Sequence, residues 1–377
     1  MNKSSEMAIH QKPKLAIFLP SLSGGGAERS MLNLAHGVAE RGYPVDLVLA
    51  QARGPYLSLV HKDVRIVDLK ASRVLASLPA LAGYLKKERP KALISALNYA
   101  NVVAVWARSL AGVPTKVLVN EQNTVSISAF NSAKRRQRMV PYFMKYFYPW
   151  ADYIIGNSQG VAEDLSEVTG LPPQRIDILY NPVVTPEVQE KVHAPLNHPW
   201  FQPGQPPVIL AVGRLTKQKD FPTLIQAFGQ VLKNRSARLM ILGEGVDRPK
   251  LEALVKELRL EDHVSLPGFV ENPYAYMKRA SLYVLSSRWE GLPTVLIEAL
   301  YCGRPIVATD CPSGPREILA GGQYGVLVPV GDVAALSRAI VAGLAGETPL
   351  PTKESWHPYS LEAVSDQYID LLLNGHS

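Results

Sequence analysis

The chain alternates between short, uninterrupted apolar runs and longer stretches in which apolar residues recur at helical spacing. Leu15–Leu19 is apolar throughout, as a strand covered on both faces should be. Ser23-Gly24-Gly25-Gly26 breaks the run. Met31, Leu34, Ala35 and Val38 then share one helical face, and Gly42 offers a stop. Val45–Ala50 is the next strand. Further strands are predicted at Ala92–Ala96, Lys116–Val119, Tyr153–Ile155 and Ile176–Leu179, separated by helical segments. Such an alternation builds a parallel sheet with helices on both faces.

From Pro182 to Pro207 the chain is rich in proline and loses its periodicity, so it reads as an interdomain linker. A second alternation follows. Strands are expected at Val208–Val212, Leu239–Leu242, Leu282–Leu285, Ile306–Ala308 and Gly325–Val328, and helices at 221–233, 248–259, 294–302 and 332–344. The expected fold class is α/β, with two doubly wound domains facing each other across a cleft, where such folds place a ligand. The domains are set at 1-190, joined by the partly helical tail 356–377, and at 206–355.

The length of 377 residues supports two domains, because single cores stop growing well below it. A composition 47% hydrophobic and 19% charged is that of a globular chain. Cys302 and Cys311 make neither a disulfide framework nor a metal site, and read as reduced core thiols. Residues 1–13 lack the apolar segment of a secretory signal. The longest apolar candidate, Tyr99–Val113, contains Arg108 and is too short to span a bilayer. The net charge of +7 favours anionic partners: nucleotides, phospholipid surfaces or nucleic acid.

Candidate chemistry concentrates in the second half. Between Glu290 and Glu298, Gly291 and Pro293 mark a loop entering a helix, with Pro293 suited to the first helical position. The first-turn amides, from about Thr294 and Val295, would form an anion site at the positive end of the helix dipole. Carboxylates on either side can hold vicinal hydroxyls, as on a ribose. Hydroxyls flanking a diphosphate are the outline of a sugar nucleotide. An ordinary buried helix with solvated or capping carboxylates has the same pattern.

Gly213 to Asp220 follows the first strand of the second domain and carries Arg214, Lys217 and Lys219. Arg214 can grip a phosphate in a planar fork and Lys219 can add a point charge; Lys217 is expected to be solvated. Gly24-Gly25-Gly26-Ala27-Glu28-Arg29 lacks the Lys-Ser/Thr ending of a Walker loop and the spacing of a dinucleotide fingerprint. Its glycines allow close backbone approach. Gly243-Glu244-Gly245 and Pro267-Gly268-Phe269-Val270 follow apolar strands, and Phe269 with nearby backbone could hold a nucleobase. Ordinary turn chemistry explains those two loops nearly as well.

Gly24–Glu28, Gly213–Asp220, Gly243–Gly245 and the Glu290/Glu298 pair stand in the order and spacing of glycosyltransferase family 4. Gly314-Pro315-Arg316-Glu317 and Gly325-Val326-Leu327-Val328 resemble it too. The similarity covers nearly the whole chain and is densest from Pro207 to Val330. It implies a retaining enzyme of the GT-B fold, with a final helix that crosses back to the first domain. It also implies roles. Arg214 and Lys219 would hold the donor diphosphate, Glu298 the ribose hydroxyls and Glu290 the donor sugar, with Arg214, Lys219 and Glu290 as the catalytic set. Gly213, Gly243, Phe269 and Gly291 would complete the donor site, and the amides of Thr294 and Val295 would meet the distal phosphate. Gly25 and Gly26 would lie near the donor phosphate, and Glu28 on the acceptor side. No cofactor is implied beyond a UDP-sugar donor. No Asp-x-Asp cluster supplies a metal, so none is expected.

The chain departs from many relatives at Glu121-Gln122-Asn123, an acceptor-side segment where relatives often carry a histidine. Gln122 cannot act as a base, which favours front-face substitution with a donor phosphate oxygen taking the acceptor proton. Glu121 could serve as a base only if suitably placed, or else orients a hydroxyl or loop. Lys134, Arg135, Arg136 and Arg138 precede Met139, Tyr142, Phe143, Lys145, Tyr146 and Trp150. Such a segment can lie on an anionic membrane surface or can be a basic turn leading into a core helix. No module for nucleic acid accompanies it. The expectation is a cytoplasmic enzyme, peripheral on the cytoplasmic face of the inner membrane. It would move a hexose or N-acetylhexosamine to a lipid-linked glycan or glycolipid in cell-surface polysaccharide assembly. A nucleotide-sugar epimerase and a non-catalytic nucleotide- or membrane-binding protein are the alternatives.

Overall fold

The computed structural model describes residues 12–130 and 138–375. Among the described residues, thirteen strands form two sheets. The first contains β1 (Leu15–Leu19), β2 (Val45–Leu49), β3 (Val64–Asp68), β4 (Ala92–Ala96), β5 (Lys116–Glu121), β6 (Tyr153–Gly156) and β7 (Ile176–Ile178). Their order is β3-β2-β1-β4-β5-β6-β7. β1, β2 and β4 are buried along their whole length, which is why they read as continuous apolar runs. The helices α1 (Gly26–Glu40), α2 (Leu78–Glu88), α3 (Asn98–Ala111), α4 (Val140–Phe147) and α5 (Gln159–Thr169) connect or flank these strands.

The second sheet contains β8 (Val208–Val212), β9 (Arg238–Leu242), β10 (Val264–Gly268), β11 (Leu282–Leu285), β12 (Ile306–Thr309) and β13 (Val326–Val328). Its order is β10-β9-β8-β11-β12-β13, with every pairing parallel. Strand alternation divides its core in two. Leu210, Met240, Tyr283 and Ile306 belong to one cluster; Ile209, Ile241, Val284 and Val307 belong to the other. The helices α6 (Phe221–Val231), α7 (Arg248–Glu257), α8 (Thr294–Tyr301) and α9 (Val333–Leu344) supply partners for both faces, and α10 (Leu361–Asn374) closes the chain. In each sheet the strand order reverses beside its first strand, between β1 and β4 and between β8 and β11. The carboxyl ends of such strands are where open α/β sheets take ligands.

Packing divides the chain into two units. Of the described residues, one comprises 12–121, 138–155 and 365–375, and the other 122–130 and 156–364. The tail joins the first unit, as the family resemblance implies for a final helix. Tyr368 is fully buried and its hydroxyl pairs with the Asn120 side-chain amide, while Lys116 Nζ donates to Leu372 O at 3.4 Å.

Three sequence expectations change. Pro182–Pro207 is not a bare linker. It contains a short helix, Pro186–Lys191, capped by Thr185, and its Val183, Val184, Val188 and Val192 are core residues of the second unit. Its prolines hid the apolar spacing. Val64–Asp68 is a strand that the pattern did not reveal, because β3 lies at a sheet edge and only Val64 is fully buried. Pro293 is the cap of α8 rather than its first residue, so the helix starts at Thr294.

Candidate active site

The loops after β8, β9 and β10 are held together through their backbones. Gly213 N donates to Leu242 O at 2.9 Å, Leu215 N to Glu244 O at 2.9 Å and Gly243 N to Gly268 O at 2.8 Å. Gly243 has φ +140°, and a β-carbon on it would lie 2.0 Å from Gly213 O. No larger residue fits, because both the dihedral and the space forbid it. Arg248 fastens the same edge by donating to both Glu244 oxygens and to Leu266 O. Between the loops lies a cavity of about 310 Å³ lined by Val212, Gly213, Arg214, Gly243, Phe269 and Val270, among others. Phe269 is 79% exposed, an aromatic face with no core role.

The loops that follow β8 and β11 meet at the switch point. Lys219 Nζ lies 2.6 Å from Glu290 Oε1, with only 13% and 7% of the two side chains exposed. Ser287 Oγ donates to the same oxygen at 2.5 Å, and Gln218 Nε2 reaches Glu290 Oε2 at 3.4 Å and Trp289 O at 3.0 Å. The backbones are joined as well: Arg288 N donates to Gln218 O at 2.8 Å and Ser286 Oγ to Lys219 O at 2.7 Å. Arg288 grips the buried Asp220: Nη2 donates to Oδ1 at 3.0 Å, and Nε lies 3.0 Å from Oδ2 in an ion pair. The aliphatic stem of Lys219 packs over Gly213, where a β-carbon would come within 3.1 Å of it. Lys217 is exposed, and so is Arg214, so exposure alone does not single out the solvated cation.

The turn into α8 is equally tight. Ser313 Oγ donates to Gly291 O at 2.8 Å, and a β-carbon on Gly291 would lie 2.7 Å from Gln122 O. No side chain caps α8, so its first-turn amides, Thr294 and Val295 among them, keep the anion-binding character of an open helix start. Glu298 lies about a turn inside and is half-buried. Beneath the site the Tyr283 phenol is fully buried. It is held well above its ordinary pKa by burial first, then by the charges of Glu298 and Glu290. Burial also pushes the Cys302 and Cys311 thiols up to about 12, with Glu298 reinforcing the first and Glu290 the second.

On the other candidate residues the findings are mixed. Glu121 is 2% exposed, and its carboxylate accepts from the Tyr148 hydroxyl and from Asn101 Nδ2 at 2.9 Å. Gln122 Oε1 accepts from Asn181 at 2.8 Å and Asn157 at 3.3 Å, so it fixes a buried turn. Asn123 is exposed. Glu28 folds back over its own helix start, with Oε2 2.1 Å from where a Gly25 β-carbon would stand. Gly26 has open space beside it. Arg138 is exposed; Lys134, Arg135 and Arg136 lie outside the described residues. Sequence reasoning missed Gln218, Ser287, Arg288 and Tyr283. Their only signal was adjacency to the motif residues that they hold.

Two family models match the chain: glycosyl transferases group 1 over residues 197–360, and a glycosyl transferase 4-like domain over residues 25–182. An N-acetylgalactosamine-N,N'-diacetylbacillosaminyl-diphospho-undecaprenol 4-alpha-N-acetylgalactosaminyltransferase from Campylobacter jejuni is 34% identical over 332 residues, covering 84% of this chain and 86% of its own. The lipopolysaccharide core biosynthesis glycosyltransferase LpsE of Rhizobium meliloti is 26% identical, covering 92% and 96%. Among solved structures, the apo form of the lipopolysaccharide outer core galactosyltransferase WaaB aligns with a TM-score of 0.75 at 22% identity, over 96% of this chain and all of that one. A glycosyltransferase from Rickettsia africae aligns at 0.78 and 15% identity, over 97% and 99%.

Proposed function

The chain belongs to the glycosyl transferases of group 1, with the two Rossmann-like domains of the GT-B fold, and from that membership we propose a retaining, UDP-sugar-dependent transfer of a hexose or N-acetylhexosamine to a lipid-linked glycan. The observation that carries this reading is the Lys219–Glu290 contact, which sets a cation and a carboxylate side by side at the switch point.

In this reading the nucleobase enters the cavity beside Phe269, and Glu298 accepts from the ribose hydroxyls. Arg214, Lys219 and the amides of Thr294 and Val295 surround the diphosphate, and Glu290 accepts from a sugar hydroxyl. The C1–O bond to the diphosphate breaks and negative charge grows on the departing UDP. Fixed cations and amides stabilise that charge without reorganising, which is the largest contribution a site of this kind can make. The acceptor hydroxyl oxygen bonds to C1 on the face the diphosphate leaves, and its proton passes to a diphosphate oxygen. These groups supply the counter-charge without a divalent metal. Glu121, bonded by Tyr148 and Asn101, positions its strand end rather than moving the proton.

The acceptor class follows the Campylobacter jejuni relative, whose name specifies a diphospho-undecaprenol glycan. The exposed Arg138 and Lys145 suit the anionic membrane surface on which such an acceptor resides. No helix among the described residues is long and apolar enough to cross a membrane, so contact with the bilayer is peripheral in this reading.

The test is a panel of UDP- and GDP-sugars with and without polyprenyl-diphosphate glycans, run in EDTA. UDP release coupled to a lengthened glycan with retained anomeric configuration, lost in Arg214→Ala, supports the proposal. An epimerised sugar nucleotide without UDP release contradicts it, and so does nucleotide binding without turnover against every acceptor.

A further inference from the structure

Ser313 stands in a backbone conformation that a serine rarely adopts. Its φ is +65°, in the left-handed region, and Gly314 follows at φ +92°. Strain of this kind persists only where the surroundings enforce it, and it gathers at functional sites. The two residues press on the turn that leads from Glu290 into α8. A β-carbon on Gly314 would lie 2.4 Å from Pro293 Cδ and 2.9 Å from Gly291 O. On the other side the start of α5 comes equally close: a β-carbon on Gly160 would lie 2.8 Å from Ser313 Oγ. All of these residues belong to the second unit.

The hydroxyls between these backbones have one arrangement of protons. Ser313 Oγ donates its only proton to Gly291 O at 2.8 Å. The 2.8 Å contact between Ser158 Oγ and Ser313 Oγ is therefore donated by Ser158. Ser158 Oγ in turn accepts from Val161 N at 3.3 Å, as the cap of α5. Three hydrogen bonds thus run in one direction, from the first turn of α5 to the carbonyl beside Glu290, and each polarises the next. Both ends are anchored. Glu317 accepts from Gln159 N at 2.9 Å and from the Tyr180 hydroxyl at 2.8 Å, and Glu290 N donates to Pro312 O at 3.2 Å. A tight turn by itself explains the glycine at 314. It does not call for a hydroxyl at 313, where glycine would relieve the strain.

We propose that Ser313 is a positioning residue for the donor sugar: with Ser158 behind it, it fixes the Gly291 carbonyl and hence the peptide plane next to Glu290. The proposal rests on the preceding reading, which sets the donor sugar at Glu290. Ser313 itself touches no substrate. The peptide is planar, so a carbonyl held from behind also fixes the direction of the Leu292 N–H. The base and most of the diphosphate contacts belong to other loops, so the nucleotide alone does not depend on Ser313.

Ser313→Ala and Ser313→Gly both remove the hydroxyl, but only glycine relieves the strain. The full-length variants and wild type are titrated calorimetrically with UDP, UDP-glucose, UDP-galactose and the two corresponding UDP-N-acetylhexosamines, and are melted in parallel. The glycine variant should be the more stable of the two. Both should nevertheless bind the sugar nucleotide that wild type prefers at least about fivefold more weakly, with UDP changed by less than about twofold. Ser158→Ala combined with Ser313→Ala should fall short of additivity by at least about fivefold in the unfolding constant, because one chain is broken only once. Near-wild-type binding of the sugar nucleotide by Ser313→Gly overturns the proposal, since the hydroxyl then does nothing for the sugar. An equal loss for UDP reduces Ser313 to general support of the fold, and additivity removes the chain; either result overturns it too. If the affinities shift as expected and wild type transfers sugar to no acceptor, the positioning role stands and the transferase reading fails.

Discussion

Lys219 and Glu290, on loops that leave different strands of the second sheet, form an ion pair at 2.6 Å with both side chains mostly withdrawn from water. The pair to which the proposed function gives the two ends of the donor's glycosidic bond is thus assembled in the structure. On the proposed function a diphosphate gives Lys219 a second anion to serve, while Ser287 and Gln218 hold Glu290 in place.

Breaking the pair from one side should harm both stability and rate. Lys219→Met leaves the Glu290 carboxylate short of a cation in a poorly solvated site, a loss of about 1–3 kcal/mol. Lys219→Met/Glu290→Gln should recover part of it, because no buried charge is then unbalanced. Thermal unfolding of the singles and the double checks this; simple additivity would contradict it. Transfer should fall roughly tenfold to a hundredfold or more in each single variant.

Gly243→Ala should damage the donor side specifically. Its φ of +140° and the Gly213 carbonyl 2.0 Å from the added methyl leave no room. A backbone shift there moves Gly213, over which Lys219 packs. The expected result is a stability loss above about 1 kcal/mol and a raised KM for the donor. Gly26→Ala has open space and should leave stability near wild type.

Glu88 provides a pH signature remote from the site. It bonds first Lys14 and then Arg65, which hold its carboxyl down at about 2, below its ordinary 4.5. A depressed folded pKa adds stability that is present above the unfolded value and lost as pH falls through the folded one. The difference in melting temperature between wild type and Glu88→Gln should be full at pH 7 and should shrink progressively between about pH 4.5 and 2. A difference independent of pH would show that the pairing contributes nothing.

The two cysteines should be silent in the folded protein. Both are buried, with thiols raised to about 12, so almost no thiolate exists at pH 8. A disulfide-exchange reagent should count no reactive thiols until denaturant is added and two afterwards. Rapid reaction of the native protein would show that the core beside Glu290 and Glu298 opens readily.

The fold was legible because its strands are covered on both faces: Leu15–Leu19 and Val208–Val212 read as apolar runs, with glycine loops behind them. Val64–Asp68 was not legible, since an edge strand obeys neither that pattern nor strict alternation. The geometry of the candidate site was legible where a residue type has few alternative uses, as with Lys219 and Glu290, which the structure pairs. It was not legible where the role depends on which way a side chain turns. Spacing cannot reveal that Gln122 turns to Asn157 and Asn181, that Glu121 turns to Tyr148, or that Gln218 and Ser287 grip Glu290. The buried Tyr283 looks in sequence like any aromatic of a core strand.

Calorimetric titration of UDP in EDTA tests most directly whether the cations of one loop and the start of α8 share a pyrophosphate. Wild type and Lys217→Ala should bind alike, while Arg214→Ala and Lys219→Ala should each bind at least about tenfold more weakly, with uridine insensitive to all three substitutions. Equal UDP affinity across the four proteins would contradict the account.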